Sequence, residues 1–328
     1  MKKQKILIVQ LGRIGDIILM TPVFDILKKA NRDNIIHVLA GKHNSMVVNK
    51  HPHIDKVYAY QKNFIKLPIL IWKLKHERYD IWIDPRDHHS SESIFFASQS
   101  NAGLKIGFNQ DNKSVFDVGI KSDKEQMNAH AVTRNIECLS SLKIKLPASQ
   151  PRPNLYVTYD SEKRLATFLK EQNITSYYCI NISATSKTRY WQTDKWIKFL
   201  DYANEQKKNC ILISAPNDSN ILYFIKSKTG QNVNIYDTES IIDVFSIVKN
   251  SALTITPDTA VVHVASAFNV PVLAMYSNIV KNYTKFSPLS THYRMVMNDR
   301  TGSHVPEISY DLFFSNYLEL VKKTHGRK

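Results

Sequence analysis

The chain has 328 residues, 43% hydrophobic and 22% charged, an ordinary globular balance with room for about two domains and a core that needs neither disulfides nor metal. That balance argues against disorder, collagen and coiled coil. Lys and Arg number 44 against 29 Asp and Glu, and the resulting charge of +15 calls for anionic partners such as nucleic acid, anionic lipid or phosphorylated substrates.

In chain order, residues 6–9 are an apolar run with the character of a buried parallel strand. Gly12 and Gly15 follow, and residues 16–29 repeat apolar positions at three and four, which predicts a helix. Strands are expected at 35–40, 56–60 and 79–84, with a basic amphipathic helix at 68–78. Pro147, Pro151 and Pro153 mark residues 143–154 as a linker. Beyond it, helices at 161–172, 194–206, 240–249 and 259–268 alternate with strands at 177–182, 209–214, 232–236, 252–256 and 270–276, and a last helix covers 310–322. Strands alternating with helices predict two doubly wound α/β units around a cleft. Cys138, Cys179 and Cys210 are far apart and form no CxxC, which opposes a disulfide framework or a zinc finger. The apolar run at the N-terminus is too short for a signal segment, and Lys66 and Pro68 interrupt the stretch 64–72, so a cytoplasmic protein able to touch a membrane surface is expected.

Ligands in open α/β sheets bind beyond the carboxyl ends of the strands. Function is therefore sought at 10–16, 84–91, 183–191, 215–220 and 256–263. In the first stretch Gly12 and Gly15 permit close backbone approach, and Asp16 is either a helix N-cap or a carboxylate held for chemistry at the helix start. Neither GxGxxG nor GxxxxGK[ST] is present. Asp258 or Thr259 would cap the helix that follows, whose first turn suits a phosphate, and His263 is either a core residue or a ligand contact one turn on. Ser183, Thr185, Lys187 and Arg189 combine hydroxyls with cations able to neutralise a leaving diphosphate; the alternative is a solvated basic loop. Asp84, Asp87, His88 and His89 could be a metal set, but adjacent histidines seldom converge on one ion, and His51-Pro52-His53 has the character of a turn. The absence of a GxSxG elbow opposes a serine nucleophile, and no nucleic-acid motif accompanies the basic charge.

Taken together, residues 5–22 (KILIVQLGRIGDIILMTP), 183–196 (SATSKTRYWQTDKW) and 258–267 (DTAVVHVASA) resemble the signature segments of glycosyltransferase family 9, the lipopolysaccharide heptosyltransferase family. The resemblance implies a GT-B architecture of two Rossmann-like domains facing a central cleft. An acceptor-binding domain would cover 1–150 and a nucleotide-sugar-binding domain 151–308. The helix in 309–328 would cross back to the first domain. Carried over by position, Asp16 would be the general base. Asp258, Thr259, Ala260 and His263 would bind the donor diphosphate together with Ser183, Thr185 and either Lys187 or Arg189. Asp218 would hold the ribose, and the loop around Glu239 would line the base. Gly12, Arg13, Gly15, Arg86 and Ser90 would meet a phosphorylated acceptor.

Three departures stand out: Ala260 replaces a glycine, Arg189 a lysine, and residues 84–87 are unusually acidic. The resemblance implies an inverting transfer of a sugar, heptose from ADP-heptose in the first instance, to a lipopolysaccharide core or related glycan. No cofactor and no metal are expected, in line with the lack of a DxD motif. The expected partners are the nucleotide sugar, a phosphorylated glycolipid and an anionic membrane surface met through Lys62, Lys66, Lys73, Lys75 and Arg78; nucleic acid is not expected. The alternatives are a GT-B transferase with another donor, a nucleotide-sugar epimerase, or a polyanion-binding protein.

Overall fold

The structure, a computed structural model, describes residues 2–109 and 115–325. The chain divides into two compact units, Met1–Asn154 and Leu155–Lys328, a division at the end of the proline-containing stretch 143–154.

The first unit runs β1 (Lys5–Gln10), α1 (Ile14–Ala30), β2 (Ile35–Gly41), β3 (Lys56–Tyr60), α2 (Lys66–His76), β4 (Ile81–Ile83), α3 (Ser91–Ser98), β5 (Leu104–Gly107), β6 (Val118–Gly119) and α4 (Ala131–Glu137). Its strands are all parallel in the order β3-β2-β1-β4-β5-β6. Chain order therefore reverses between β1 and β4, where Ile6 lies opposite both Ile36 and Ile81. Ile6, Leu7, Ile8 and Val9 are buried, as a strand covered on both faces must be. Helix α1 packs through Ile17, Leu19, Met20, Phe24 and Leu27 and contains Pro22. Proline has no N–H to give to Ile18; the Thr21 hydroxyl donates to the Ile18 carbonyl instead at 2.8 Å, and the helix continues.

The turn at His51-Pro52-His53 is no ligand pair. His51 is buried with its ring 5.2 Å from Phe24, and His53 Nδ1 pairs with Asp25 Oδ1 at 2.7 Å. Burial, against the pull of Asp25, lowers His51 to about 4. An unfolded histidine titrates near 6.5, so in the window between these values only the unfolded chain takes the proton. The stabilisation is complete above pH 6.5 and falls as pH drops towards 4. We expect His51 to cost the protein about 2 kcal/mol between pH 6.5 and pH 5. Urea unfolding at both pH values checks this. His51→Gln should flatten the slope, and an unchanged slope would assign the acid sensitivity elsewhere.

The second unit runs α5 (Tyr159–Glu171), β7 (Tyr178–Asn181), α6 (Thr193–Glu205), β8 (Cys210–Ile213), α7 (Ser219–Ser227), β9 (Val233–Ile235), α8 (Ile241–Lys249), β10 (Leu253–Pro257), α9 (Ala260–Phe268), β11 (Val272–Met275), α10 (Val280–Phe286), β12 (Tyr293–Val296) and α11 (Tyr310–His325). The parallel order β12-β11-β10-β7-β8-β9 has the same topology as the first sheet, with its reversal between β7 and β10. Helix α11 contributes to this unit's core: Phe313, Tyr317 and Leu320 are buried with Trp191, Trp196 and Phe199. The Trp191 and Phe313 rings lie 4.4 Å apart. The three cysteines are free and buried, and burial pushes each thiol's pKa up.

Candidate functional site

Both reversals put loops where ligands of doubly wound sheets bind. In the first unit these are the loops after β1 and β4. Asp16 is the third residue of α1 and not its cap: Arg13 holds the cap position, and its backbone N–H donates to Asp16 Oδ2 at 2.7 Å. Gln10 Oε1 accepts the Gly12 N–H at 3.0 Å. Asn44 Nδ2 donates to the carbonyls of Gln10 at 3.0 Å and Gly12 at 2.8 Å. A side chain at position 12 would put its Cβ 2.5 Å from Asp16 Oδ2 and 2.8 Å from Gln10 Oε1, so only glycine fits this arrangement. Asp16 is half-buried at the positive end of α1, and among the described residues nothing donates to its Oδ1. A fixed carboxylate with one oxygen open can take a proton from a hydroxyl. Arg13 is exposed and Gly15 lies in the first turn of α1.

The acidic character of residues 84–87 is largely cancelled by their surroundings. Burial pushes the Asp84 carboxyl up, and its Oδ1 accepts the Arg86 N–H at 3.1 Å. Asp87 Oδ2 pairs with Arg134 Nη1 at 2.7 Å, with both side chains buried, and Oδ1 lies 3.0 Å from His88 Nδ1. Arg134 also donates to the Ala129 carbonyl at 2.9 Å and to that of Gln126. The Arg86 guanidinium donates to Ser90 Oγ, which caps α3 by accepting the Ser93 N–H at 3.3 Å. Arg86 is thus the cation this loop presents, fixed by the serine. Among the described residues no three His, Cys, Asp or Glu side chains could hold a metal ion.

In the second unit Asn181, at the end of β7, joins the two loops at the reversal. Its Nδ2 donates to Thr256 Oγ1 at 2.9 Å, to Thr259 Oγ1 at 3.2 Å and to the Ser183 carbonyl at 3.2 Å. Thr259 caps α9 by accepting the Val261 N–H, Ala260 is the first helical residue, and Asp258 is buried before them. Arg189 Nη1 lies 3.2 Å from both the Asp258 carbonyl and Asp258 Oδ2, which fixes the guanidinium beside the start of α9. Lys187 and Thr185 are exposed. Lys187 has no ion-pair partner among the described residues, so the two cations differ: Arg189 is oriented by Asp258 and Lys187 is exposed to solvent.

Ser183 is buried, and its Oγ accepts the Ala215 N–H at 2.7 Å. His263 is buried one turn into α9, its ring 6.0 Å from Phe286, the placement of a core histidine. Both Asp218 oxygens accept the Tyr190 hydroxyl at 2.9 Å, so a ribose would have to share that carboxylate. Burial and then Asp218 push the Tyr190 hydroxyl pKa up, keeping it a donor. Glu239 is exposed, with Arg164 3.9 Å away.

Four positioning residues escape a reading of the loops alone: Asn44, Arg134, Asn181 and Tyr190. The signal for Asn181 is a polar residue ending an apolar strand. The other three give none, because their partners are 28 to 47 residues away.

A family model described as glycosyltransferase family 9 (heptosyltransferase) matches residues 69–312. It leaves out the β1 loop, where Asp16 rests on its geometry. No curated protein matches. Among solved structures, a family 9 glycosyl transferase from Veillonella parvula DSM 2008 is similar at 17% identity and TM-score 0.86, covering 98% of each chain. The E. coli ADP-heptose lps heptosyltransferase II gives 16% and 0.80, covering 97% of this chain and 99% of its own. The E. coli heptosyltransferase WaaC, solved with ADP, gives 16% and 0.75, with 98% and 99% covered. The likeness is one of fold, and with a family model spanning well over half of the sequence, the chain belongs to glycosyltransferase family 9 and is a glycosyltransferase of the GT-B fold class.

Proposed function

We propose that the enzyme transfers a sugar from an ADP-linked donor, heptose in the first instance, to a phosphorylated glycolipid of the lipopolysaccharide-core type, with inversion and without a metal. The observation that carries this reading is the reversal in the second unit. There Arg189 is locked beside the N-terminus of α9, with the exposed hydroxyl of Thr185 and the ammonium of Lys187 on the adjoining loop. Oriented N–H groups and a guanidinium are what a diphosphate needs as charge develops on it. Of the similar E. coli structures, one is an ADP-heptose lps heptosyltransferase and another a heptosyltransferase with ADP, which supports an ADP-linked donor.

In the reaction the acceptor hydroxyl oxygen attacks the anomeric carbon from the face opposite the leaving group. The new glycosidic C–O bond forms as the bond to the β-phosphate oxygen breaks. The hydroxyl proton passes to Asp16 Oδ1, and the electron pair leaves with ADP, whose growing negative charge meets Arg189, Lys187 and the first turn of α9. Arg86, steered by Ser90, supplies a cation for an acceptor phosphate.

The test is product analysis with ADP-heptose and a phosphorylated lipid core. We expect ADP release that requires the acceptor, and a glycosidic product of inverted anomeric configuration by NMR. Sugar isomerisation without acceptor would replace transfer by epimerisation. Turnover only with another nucleotide sugar would replace the donor.

A further inference from the structure

Helix α2 is apolar on two faces. Leu67, Leu70, Ile71 and Leu74 pack on the first unit's core. The opposite face exposes Ile65 by 81%, Ile69 by 53% and Trp72 by 59%, and Phe64, just before it, is 93% exposed. Ile65, Ile69 and Trp72 follow one another at four and three residues, so they form one stripe. Scattered apolar residues on a surface need no explanation, whereas a contiguous stripe with an aromatic at each end marks a docking face.

The setting selects the occupant. Lys66, Lys73 and Lys75 border the stripe without an ion-pair partner among the described residues, and Lys62 pairs with Glu92 at 2.9 Å. The nearby Glu77 is already engaged by Lys5, Lys56 and Tyr58; although burial alone would raise its pKa, those donors lower it to about 2. Between β3 and α2 lies an open groove of about 370 Å³ lined by Lys56, Trp72, Lys73 and His76. The His76 ring lies 4.1 Å from that of Trp72, and its Nδ1 is 2.9 Å from the Trp72 carbonyl, which holds the indole against the helix. Apolar side chains flanked by ammonium groups, with an indole between them, match the depth profile of a bilayer interface with anionic headgroups.

We infer that α2 is an interfacial anchor: Phe64, Ile65, Ile69 and Trp72 enter the acyl boundary of an anionic bilayer, while Lys66, Lys73 and Lys75 meet its phosphates. The purpose of such an anchor rests on the membrane-borne acceptor proposed above, but its test needs neither donor nor acceptor.

Trp72 is a built-in probe, because Trp82, Trp191 and Trp196 are at most 3% exposed. The full chain, without nucleotide, is mixed with phosphatidylglycerol/phosphatidylcholine vesicles and with phosphatidylcholine vesicles. The expected result is co-sedimentation with the former, a blue shift of tryptophan emission and loss of acrylamide quenching. Lys66→Gln, Lys73→Gln and Lys75→Gln together should lower partitioning by about 100-fold. Ile65→Ser with Ile69→Ser should lower it by about tenfold, with the thermal unfolding midpoint kept as a folding control. No vesicle binding, binding without a Trp72 response, or equal binding to neutral vesicles overturns the proposal. So does concentration-dependent self-association that shields Trp72 in the absence of lipid, which would make a second copy the occupant. ADP titration of the same samples reads the second unit, so failure of the anchor and failure of the donor reading are separable.

Discussion

Asp16→Asn is expected to lower sugar transfer by about 10²–10⁴-fold while leaving ADP affinity within a factor of about two. The amide keeps the size of the side chain, and its oxygen can still accept the Arg13 N–H that Asp16 Oδ2 accepts at 2.7 Å. What it loses is the basicity of the open oxygen. Steady-state kinetics with paired calorimetry reads both quantities. An equal loss of turnover and donor binding would mean that Asp16 only organises the start of α1. A Gly12→Ala variant separates position from chemistry: its Cβ would sit 2.5 Å from Asp16 Oδ2, so turnover should fall although the carboxylate remains.

The second large effect is on stability. Arg134→Met is expected to destabilise the protein by about 3–5 kcal/mol, because it removes the cation from a buried carboxylate. The Arg134 and Asp87 side chains are 2% and 6% exposed, which makes this an interior pair with little solvent to replace it. Adding Asp87→Asn should recover part of the loss, since the uncompensated charge goes with it. Urea unfolding of the single and double variants measures the difference. A double variant no more stable than Arg134→Met alone would place the cost in the lost hydrogen bonds to the Gln126 and Ala129 carbonyls.

The strands legible in the sequence are those whose burial on both faces produces a continuous apolar run, such as Ile6 to Val9 and Ile211 to Ile213. Residues 85–142 gave no elements, yet they hold α3, β5, β6 and α4. Strand β6 is two residues long and β5 four, too short for any period to show. Ser90, the cap of α3, is a plain serine without the acidic third residue of a capping box. The apolar pattern starts α1 at Asp16, two residues later than the structure does, because Arg13 is an unusual cap residue and Asp16 a common one. At the candidate site, the loops were legible as strand-end stretches, and glycine, hydroxyl and cation content picked them out. Their internal wiring was not legible. Tyr190 on Asp218, Asn181 on Thr259 and Arg134 on Asp87 are contacts between distant positions, and a single sequence carries no record of such pairs. The acidic look of residues 84–87 misled for the same reason: its compensating cation is Arg134.

The measurement closest to the central claim is calorimetric titration with ADP, and with UDP, GDP and CMP as controls, at two salt concentrations. The account predicts selective ADP binding, weakened about tenfold or more in Arg189→Ala, where the guanidinium is gone and the Asp258 carboxylate is left facing the diphosphate. Absence of binding to any nucleotide, together with tight and steeply salt-dependent binding to a polyanion, would contradict it.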